Sequence, residues 1–453
     1  MHELKARLAA LIDALASGLV ERGGAVRLAL LAALAAEHLL LVGPPGTAKS
    51  ELARRLHRAF RDATYFERLL TRFSVPEELF GPLSITALEE DRYERQTAGF
   101  LPSASIAFID EVFKANSAIL NALLTLLNER EFDNGTRREP TPLISVIGAT
   151  NEVPDDEVTA AFYDRFLLRL RVEPVTQAGF DALLRLPFSG SLDVPDALRL
   201  GGDELASIAS GLDAVSLPEE VAVWLRELRA HLASRGVTVS DRRWHKIVRL
   251  LKTSAITNAR TAVEIWDLWL LRYCAAGKPE EEALVAEWYE RRLGVFEALD
   301  PERFARVVQA FEAQLELERN ASGLDYGEDG RLRLGESVGD AKGASFATRM
   351  TSIGVKRYGP THIAARCAQV RGLIAEIDDY LKRLDAMRAR LRAAVAAQLW
   401  IEPGFGSRAD ANLARTGEAV AGLRERALAA LEGYASLPRL PSDSGAVPEP
   451  IAT

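Results

Sequence analysis

A Gly/Pro loop between an apolar run and a Lys-Ser pair is the feature that most constrains the fold of this chain. The apolar residues Leu39–Val42 are followed by Gly43-Pro44-Pro45-Gly46-Thr47-Ala48-Lys49-Ser50, and an amphipathic segment comes next. This order predicts a strand, a phosphate-binding loop and a helix, because loop amides and a helix N-terminus face an anion there. Lys49 is then placed to neutralise the β- and γ-phosphates of a nucleoside triphosphate, and the Ser50 hydroxyl to bind Mg²⁺.

Ala48 stands where the general form of this loop motif has its second glycine. An alanine is tolerable there if position 48 has helical dihedral angles, because it keeps the backbone N–H and loses only close backbone approach. Taken alone, the loop also fits a chance Gly/Pro turn in front of a helix. The nucleotide-binding interpretation therefore depends on motifs elsewhere in the chain.

Length and composition indicate a globular protein of several domains. The 453 residues correspond to about three domains of ordinary size, and the 48% apolar and 26% charged residues are typical of a soluble globular chain. A formal net charge of −8 argues against sequence-independent affinity for nucleic acid over the whole surface. The two cysteines, Cys274 and Cys367, lie far apart, which indicates a reducing compartment and offers no metal site.

The N-terminal segment does not have the form of a secretory signal, because charged residues such as Glu3, Lys5 and Arg7 interrupt its apolar positions. The longest apolar stretch, residues 28–36, is well short of the ~20 residues that a membrane-spanning helix needs. We therefore expect a cytoplasmic protein with no transmembrane segment.

Four further apolar runs have the character of strands, and helical patterns separate them. The runs are Tyr65–Thr71, Ser105–Ile109, Leu143–Gly148 and Phe166–Val172. Strands that alternate with helices predict an α/β fold, with a parallel sheet covered on both faces. Between two of these strands, Asp133-Asn134-Gly135 is typical of a tight turn and predicts a hairpin over residues 131–144.

After Pro174 the strand patterns disappear and helical periodicity takes over. Two long amphipathic segments, residues 361–399 and about 410–436, predict a helical hairpin joined by Pro403-Gly404-Phe405-Gly406, closed into a three-helix bundle by an earlier helix. The domain organisation that we predict is an α/β nucleotide-binding domain (1–174), an all-α lid (175–276), a helical connector (277–320), a Gly-rich linker or small insertion (321–346), a C-terminal helical hairpin or triple-helix domain (347–436) and a disordered tail (437–453).

Two carboxylates and an amide follow predicted strands. Asp110 and Glu111 end the run that begins at Ser105, which suits Mg²⁺ binding by Asp110 and activation of an attacking water by Glu111. The alternative is that the pair only begins a helix, where the helix dipole favours acidic residues. Asn151 follows the next strand and can donate to the γ-phosphate or the attacking water, or else form a local Asx turn.

Three arginines have two interpretations each. Arg165 either pairs with Asp164 or Glu157 on the surface or projects into a neighbouring subunit's site as an arginine finger. Arg242 and Arg243 follow Ser240, a good helix N-cap, and either reach a phosphate from above the nucleotide or form a solvated capping cluster.

The order of these motifs resembles the AAA+ ATPases, and more narrowly their MoxR family, over about residues 1–275. Residues 72–82 and the Asp133-Asn134-Gly135 hairpin are similar to that family's helix-2 insert and pre-sensor-1 insertion. The matching motifs are Gly43–Ser50 (Walker A, including the alanine), Phe108–Glu111 (Walker B), Ala149–Glu152 (sensor 1), Asp164–Phe166 (arginine finger) and Ser240–Arg243 (sensor 2, with Arg242 the better-aligned arginine).

Within the family, Ile119–Leu124, Asn128–Arg130 and Ser240–Trp244 are similar to the RavA (regulatory ATPase variant A) branch, as is the helical C-terminal extension. The resemblance implies a homohexameric ring with ATP and Mg²⁺ at subunit interfaces. It also implies a partner with a von Willebrand A domain (ViaA-like) and a chaperone-like remodelling activity. The lysine decarboxylase binding of that branch's best-known member is not expected here, because residues 321–346 are too short and Gly-rich for its β-rich insertion.

The function that we predict from all of this is Mg²⁺-dependent ATP hydrolysis coupled to remodelling of a protein partner. Three alternatives remain on the residues alone: a nucleic-acid motor or clamp-loader-like switch, an ATP-binding scaffold that hydrolyses slowly, and a chelatase-type motor subunit. The acidic balance of the chain weighs against the first, and the presence of both Glu111 and Asn151 weighs against the second.

Overall fold

The computed structural model of the chain describes residues 2–152, 162–186, 193–276, 278–293, 301–324, 353–440, 445 and 447–451. These residues divide into two compact units, which are Met1–Tyr289 with Ala393–Gly406, and Glu290–Arg392 with Ser407–Thr453. None of the described helices is both long and apolar enough to cross a lipid bilayer. The predicted domain limits remain a prediction.

The first unit is built on a five-stranded parallel sheet with strand order β2-β3-β6-β1-β7. Its central strands are fully buried, as continuous apolar runs require in a sheet with helices on both faces. The strands are β1 (Leu39–Val42), β2 (Tyr65–Leu69), β3 (Ile106–Asp110), β6 (Ser145–Thr150) and β7 (Leu168–Arg171). The predicted α/β class with a parallel sheet is therefore confirmed.

Six helices that lie wholly within the described residues of the first unit precede or lie between these strands. The second is buried along most of its length, because its alanines and leucines leave almost no polar face. The helices are α1 (His2–Ala16), α2 (Gly23–Leu34), α3 (Lys49–His57), α4 (Pro76–Phe80), α5 (Ile85–Glu89) and α6 (Ser117–Glu129).

A β-hairpin separates α6 from β6, as the sequence predicts. Strand β4 (Glu131–Asn134) pairs with β5 (Arg137–Pro140) in antiparallel register, with Asn134 opposite Arg137. Gly135 occupies the turn with φ of +67°, and a Cβ there would lie 2.0 Å from the Tyr93 carbonyl oxygen. Only glycine fits this turn without a shift of the backbone.

The rest of the first unit is helical, which agrees with an all-α lid after the sheet. Its longest helix is capped at its N-terminus by Ser240, whose Oγ accepts from the Arg243 N–H at 3.2 Å. The helices are α7 (Gln177–Leu184), α8 (Gly202–Gly211), α9 (Glu219–Ser234), α10 (Asp241–Thr257), α11 (Leu271–Cys274) and α12 (Pro279–Leu293), which continues into the second unit.

The described residues of the second unit include three long helices packed through aromatic residues, in agreement with the predicted bundle. The Tyr434 hydroxyl donates to the Phe311 carbonyl at 2.9 Å, and the rings of Phe304 and Tyr380 meet edge to face at 5.6 Å. The helices are α13 (Pro301–Arg319), α14 (Pro360–Ala397) and α15 (Pro403–Ala435), and a short antiparallel pair, β8 (Ser322–Leu324) and β9 (Ile353–Val355), lies between α13 and α14 in the chain.

Three predictions for this region differ from the structure or fall largely outside its described residues. Pro403-Gly404-Phe405-Gly406 is not the connection between α14 and α15 but the first turn of α15, because proline fits the first position of a helix. Most of the predicted Gly-rich segment 321–346 lies outside the described residues. Within the predicted disordered tail, residues 437–440 are instead paired with Tyr358, whose N–H donates to Pro438 and whose carbonyl accepts from Leu440.

Candidate functional site

The strand order brings the predicted motifs to one edge of the sheet. Strands β3, β6 and β1 are neighbours in parallel register, so their carboxyl ends lie together. The Gly43 N–H, directly after β1, donates to the Thr150 carbonyl at the end of β6 at 3.0 Å. Residues separated by about a hundred positions in the sequence therefore meet at the phosphate-binding loop.

The loop has the tight backbone packing that its glycines and prolines predict. A Cβ at Gly43 would lie 2.2 Å from the Val172 carbonyl oxygen, so only glycine fits at the position where the loop leaves the sheet. Thr47 Oγ1 donates to the Pro44 carbonyl at 2.9 Å, which closes the loop on itself. Lys49, 8% exposed, directs its ammonium into the loop and donates to the Gly43 carbonyl at 2.6 Å and the Pro44 carbonyl at 2.9 Å.

The charges around Lys49 are those of a phosphate and metal site. Burial lowers the pKa of its ammonium, and the carboxylates of Asp110 and Glu111 act in the opposite direction. A cation and two carboxylates therefore share this small volume, as the sequence predicts.

Ala48 does not have the helical dihedral angles under which an alanine is tolerable at this position. Its φ is +66° and its ψ is +27°, which is the left-handed conformation. The condition is not met because α3 begins only at Lys49, and residue 48 is the turn that precedes it. The alanine therefore occupies a position where glycine is favoured.

The two carboxylates lie at the end of β3 with different surroundings. Asp110 Oδ1 accepts from the Glu111 N–H at 3.0 Å. Glu111, left-handed with φ of +51°, receives the Asn151 amide on Oε1 at 2.5 Å and has the Lys114 ammonium 3.3 Å from Oε2. Strand β6, which Asn151 follows, is the neighbour of β3, and the Asn151 amide is directed at Glu111.

Arg165 lies between the sheet and the helical region. Its side chain is 24% exposed, Nη1 is 3.9 Å from Asp164 Oδ2, and buried Nε has no hydrogen-bond partner among the described residues. Burial, and then the neighbouring Arg242 guanidinium, lower its pKa. Glu157, the other partner considered for a surface pair, lies outside the described residues.

The two arginines at the start of α10 have different environments. Arg243 is 5% exposed and donates to Asp164 Oδ1 at 2.9 Å and to backbone carbonyls, among them Leu167 at 2.8 Å, so it fastens α10 to the sheet. Arg242 is exposed and donates to Asn128 Oδ1 at 2.8 Å. Of the two, Arg242 has the side chain that can turn toward a ligand.

One contact of the site lies outside the motifs considered in the sequence. The Arg22 guanidinium donates to the Thr47 carbonyl of the loop at 3.1 Å. No local pattern marks this contact. Its only signal in the sequence is a charged residue at the border of an apolar segment.

The oxygen atoms available at this edge fit a magnesium ion. The Ser50 hydroxyl and the Asp110 carboxylate are hard oxygen donors of the kind that Mg²⁺ prefers, and Mg²⁺ keeps several waters and phosphate oxygens as its other ligands. When bound, the ion would neutralise phosphate charge. A closed cage of protein ligands is not needed.

Comparison with known proteins agrees with this geometry. Residues 6–193 match the family model described as the MoxR domain in the MoxR-vWA-beta-propeller ternary systems, and residues 220–289 match an AAA lid domain. The chain is 40% identical over 274 residues to the uncharacterized protein MJ0079 of Methanocaldococcus jannaschii, covering 60% of this chain and 71% of that protein.

One further relative and one solved structure are less similar in sequence. Protein MoxR of Paracoccus denitrificans is 30% identical over 155 residues, which is 33% of this chain and 44% of that protein. The crystal structure of a Cytophaga hutchinsonii protein, described as a candidate ATPase, is similar in fold with a TM-score of 0.52 at 18% identity, covering 64% of this chain and 95% of that one.

The sheet order, the phosphate-binding loop and the helical lid define an AAA+ ATPase. The chain belongs to the MoxR family of these proteins.

Proposed function

We propose that this chain hydrolyses ATP with Mg²⁺ and uses the energy to remodel a protein partner. The observation that carries the proposal is the convergence of Lys49, Asp110, Glu111 and Asn151 at the carboxyl edge of three adjacent strands. Phosphoryl transfer needs positioned charges more than covalent chemistry, and these residues supply a cation, metal-binding oxygens and a base.

Each residue has a defined part in the reaction that we propose. Lys49 and the loop amides, with Gly43–Ser50 as the cradle, bind the β- and γ-phosphates, and Ser50 and Asp110 hold the metal ion. Glu111 orients the attacking water and accepts its proton, while Asn151 holds the carboxylate of Glu111 and reaches the γ-phosphate. Water attacks the γ-phosphorus, and the bond from phosphorus to the oxygen shared with the β-phosphate breaks.

Substitution of Glu111 tests this mechanism. Glu111→Gln keeps the volume and one acceptor oxygen for the Asn151 amide but cannot accept a proton, so we expect unchanged ATP binding and a fall in kcat of about 100-fold or more. Steady-state phosphate release and binding of a fluorescent ATP analogue measure the two quantities. Glu129→Gln, at an exposed position on α6, is the matched control and should leave both unchanged. Normal turnover in Glu111→Gln would remove Glu111 from the mechanism.

Family membership supports a further proposal about the assembly and the partner. We propose a homohexameric ring in the cytoplasm, in which Arg165 reaches the γ-phosphate bound by the adjacent subunit and Arg242 acts from the lid of the same subunit. The matching family model is described in systems that contain a von Willebrand A domain, which supports a partner of that kind. Co-elution of such a protein with ATP-loaded Glu111→Gln rings tests the partnership.

A further inference from the structure

The peptide bond between Thr47 and Ala48 in the phosphate-binding loop is hydrogen-bonded by a side chain outside the loop. The Thr47 carbonyl oxygen accepts a hydrogen bond from Arg22 Nε at 3.1 Å. In a trans peptide the C=O of one residue and the N–H of the next point in opposite directions. A carbonyl drawn toward Arg22 therefore turns the Ala48 N–H away from it.

Arg22 ties this peptide to a second part of the site. Its Nη2 donates to the Glu173 carbonyl, just after β7, at 2.7 Å, and its Nη1 donates to the Glu21 carbonyl at 3.1 Å. All three nitrogens of the guanidinium are thus used on backbone oxygens. Burial lowers the pKa of Arg22, with Glu21 acting in the opposite direction.

The residue before Arg22 fixes the position of this guanidinium. Glu21 has a left-handed backbone conformation, with φ of +56°. Its side chain and that of Arg22 contact different segments of the chain. Its carboxylate accepts from the Thr176 N–H at 2.8 Å and from the Thr176 hydroxyl, at the N-terminus of α7. Glu21 and Arg22 together connect the phosphate loop, the end of β7 and the first helix beyond the sheet.

We propose that Arg22 is a positioning residue for nucleotide binding, which holds the Thr47–Ala48 peptide so that its N–H faces the phosphates. The inference rests on the proposed ATPase function and deepens it. Arg22 acts through the loop and does not touch the nucleotide. The strained left-handed Ala48 makes such a support necessary, because alanine there relaxes to other conformations more readily than glycine would.

Nucleotide affinity is the quantity that tests this role. In the Glu111→Gln background, where bound ATP persists, we expect Arg22→Ala to raise the Kd for a fluorescent ATP analogue with Mg²⁺ about tenfold, the loss of one hydrogen-bonded support. In the hydrolytically competent protein, KM should rise by a similar factor while kcat at saturating ATP changes less than about threefold. Free guanidinium ion, at concentrations that do not unfold the protein, should restore part of the affinity of Arg22→Ala.

Two further variants keep the test decisive. Arg22→Lys retains the charge but replaces the separate donor nitrogens of the guanidinium with one ammonium nitrogen, so its Kd should lie between those of the parent and Arg22→Ala. It serves as the test if Arg22→Ala folds poorly. Arg54→Ala is the matched control, because Arg54 on α3 pairs with Glu67 and contacts no loop carbonyl, and its affinity should equal the parent's.

The inference is overturned if folded Arg22→Ala binds nucleotide as tightly as the parent, or if kcat falls while Kd stays constant. If the parent itself binds no ATP, the proposed function fails first and the inference fails with it.

Discussion

Ala48 is held in a conformation that costs alanine about 1 kcal/mol or more and costs glycine nothing. We therefore expect Ala48→Gly to raise the free energy of unfolding by about 0.5 to 1 kcal/mol, even though glycine gains entropy in the unfolded chain. Thermal or denaturant unfolding measures the change. Ala230→Gly, at an exposed right-handed position inside α9, is the matched control and should lower stability by about 1 kcal/mol. If Ala48→Gly and Ala230→Gly lower the free energy of unfolding equally, Ala48 is not strained.

His38 is a fully buried base whose charge state depends on folding. Its Nε2 donates to the Leu127 carbonyl and its Nδ1 accepts from the Val146 N–H, and burial, assisted by the Arg130 cation, lowers its pKa from 6.5 to about 3. Because the unfolded chain binds the proton first, the stabilisation is complete above pH 6.5 and is lost as pH falls toward 3.

The pH dependence of stability tests this assignment. We expect His38 to contribute a slope of about 1.4 kcal/mol per pH unit below about pH 6, which His38→Gln removes. Denaturant unfolding at a series of pH values measures the slope. His245→Gln, at an exposed position, should keep the parent's slope. If the slope of His38→Gln equals that of the parent, another group is responsible for the acid sensitivity.

At the scale of single residues, the sequence predicts what is encoded locally. Lys49, Asp110 and Asn151 each end or follow an apolar strand, and the parallel order of those strands suffices to bring them together. Arg22 could not be found in this way, because its partners are backbone carbonyls brought near by folding and no side-chain pattern records them. The backbone conformation of Ala48 also depends on where α3 begins, and helix ends are the least certain part of a sequence-based prediction.

At the scale of elements, the turn between α14 and α15 is the clearest case of a feature that the sequence pattern does not predict. Leu399, Trp400 and Ile401 are buried in the first unit, although a hairpin tip is ordinarily exposed. The Leu399 N–H donates to Asn258 Oδ1 at 2.9 Å, and Arg27 donates to the Leu399 carbonyl. The tip is therefore an integral part of the first unit.

Trp400 anchors this tip through a single polar contact. Its Nε1 donates to Thr257 Oγ1 at 2.8 Å, and both side chains are fully buried. We expect Trp400→Phe and Thr257→Val each to lower the free energy of unfolding by about 1–3 kcal/mol, with a coupling energy near 1 kcal/mol in the double-mutant cycle. Urea unfolding of the four proteins gives the cycle.

Trp244→Phe is the control for the loss of an indole. Trp244 Nε1 is buried without a hydrogen-bond partner among the described residues, so removal of this N–H should cost no hydrogen bond. Strictly additive effects of Trp400→Phe and Thr257→Val would show that the contact does not stabilise the tip.

Periodicity predicts the two long helices well but not where they join. Gly and Pro usually interrupt helices, so Pro403-Gly404-Phe405-Gly406 has the composition of a loop. In the structure α15 begins at Pro403, and the residues that turn the chain are the apolar ones before it. Their burial depends on surfaces of α2 and α10, more than 100 residues away in the sequence, which no local pattern can report.

At the scale of the whole molecule, the proposed function depends on a residue that acts outside its own chain. Arg165 has a buried Nε without a partner among the described residues, and the carboxylate beside it is bound more closely by Arg243, at 2.9 Å against 3.9 Å. A surface ion pair with Asp164 therefore explains little of its position. An arginine finger in trans requires that the active site be shared between two subunits.

Mixing two inactive variants tests this shared site. Arg165→Ala lacks the finger but keeps Glu111, and Glu111→Gln lacks the base but keeps Arg165, so each alone should hydrolyse ATP at least about 100-fold more slowly than the parent. In rings assembled from equal amounts, about a quarter of the interfaces combine an intact Glu111 with an intact Arg165 from the next subunit, given random assembly of a cyclic ring. We therefore expect about a quarter of the parent's ATPase activity to return, measured as phosphate release after the subunits have exchanged. Mixed rings that form and remain inactive would show that Arg165 acts within its own chain.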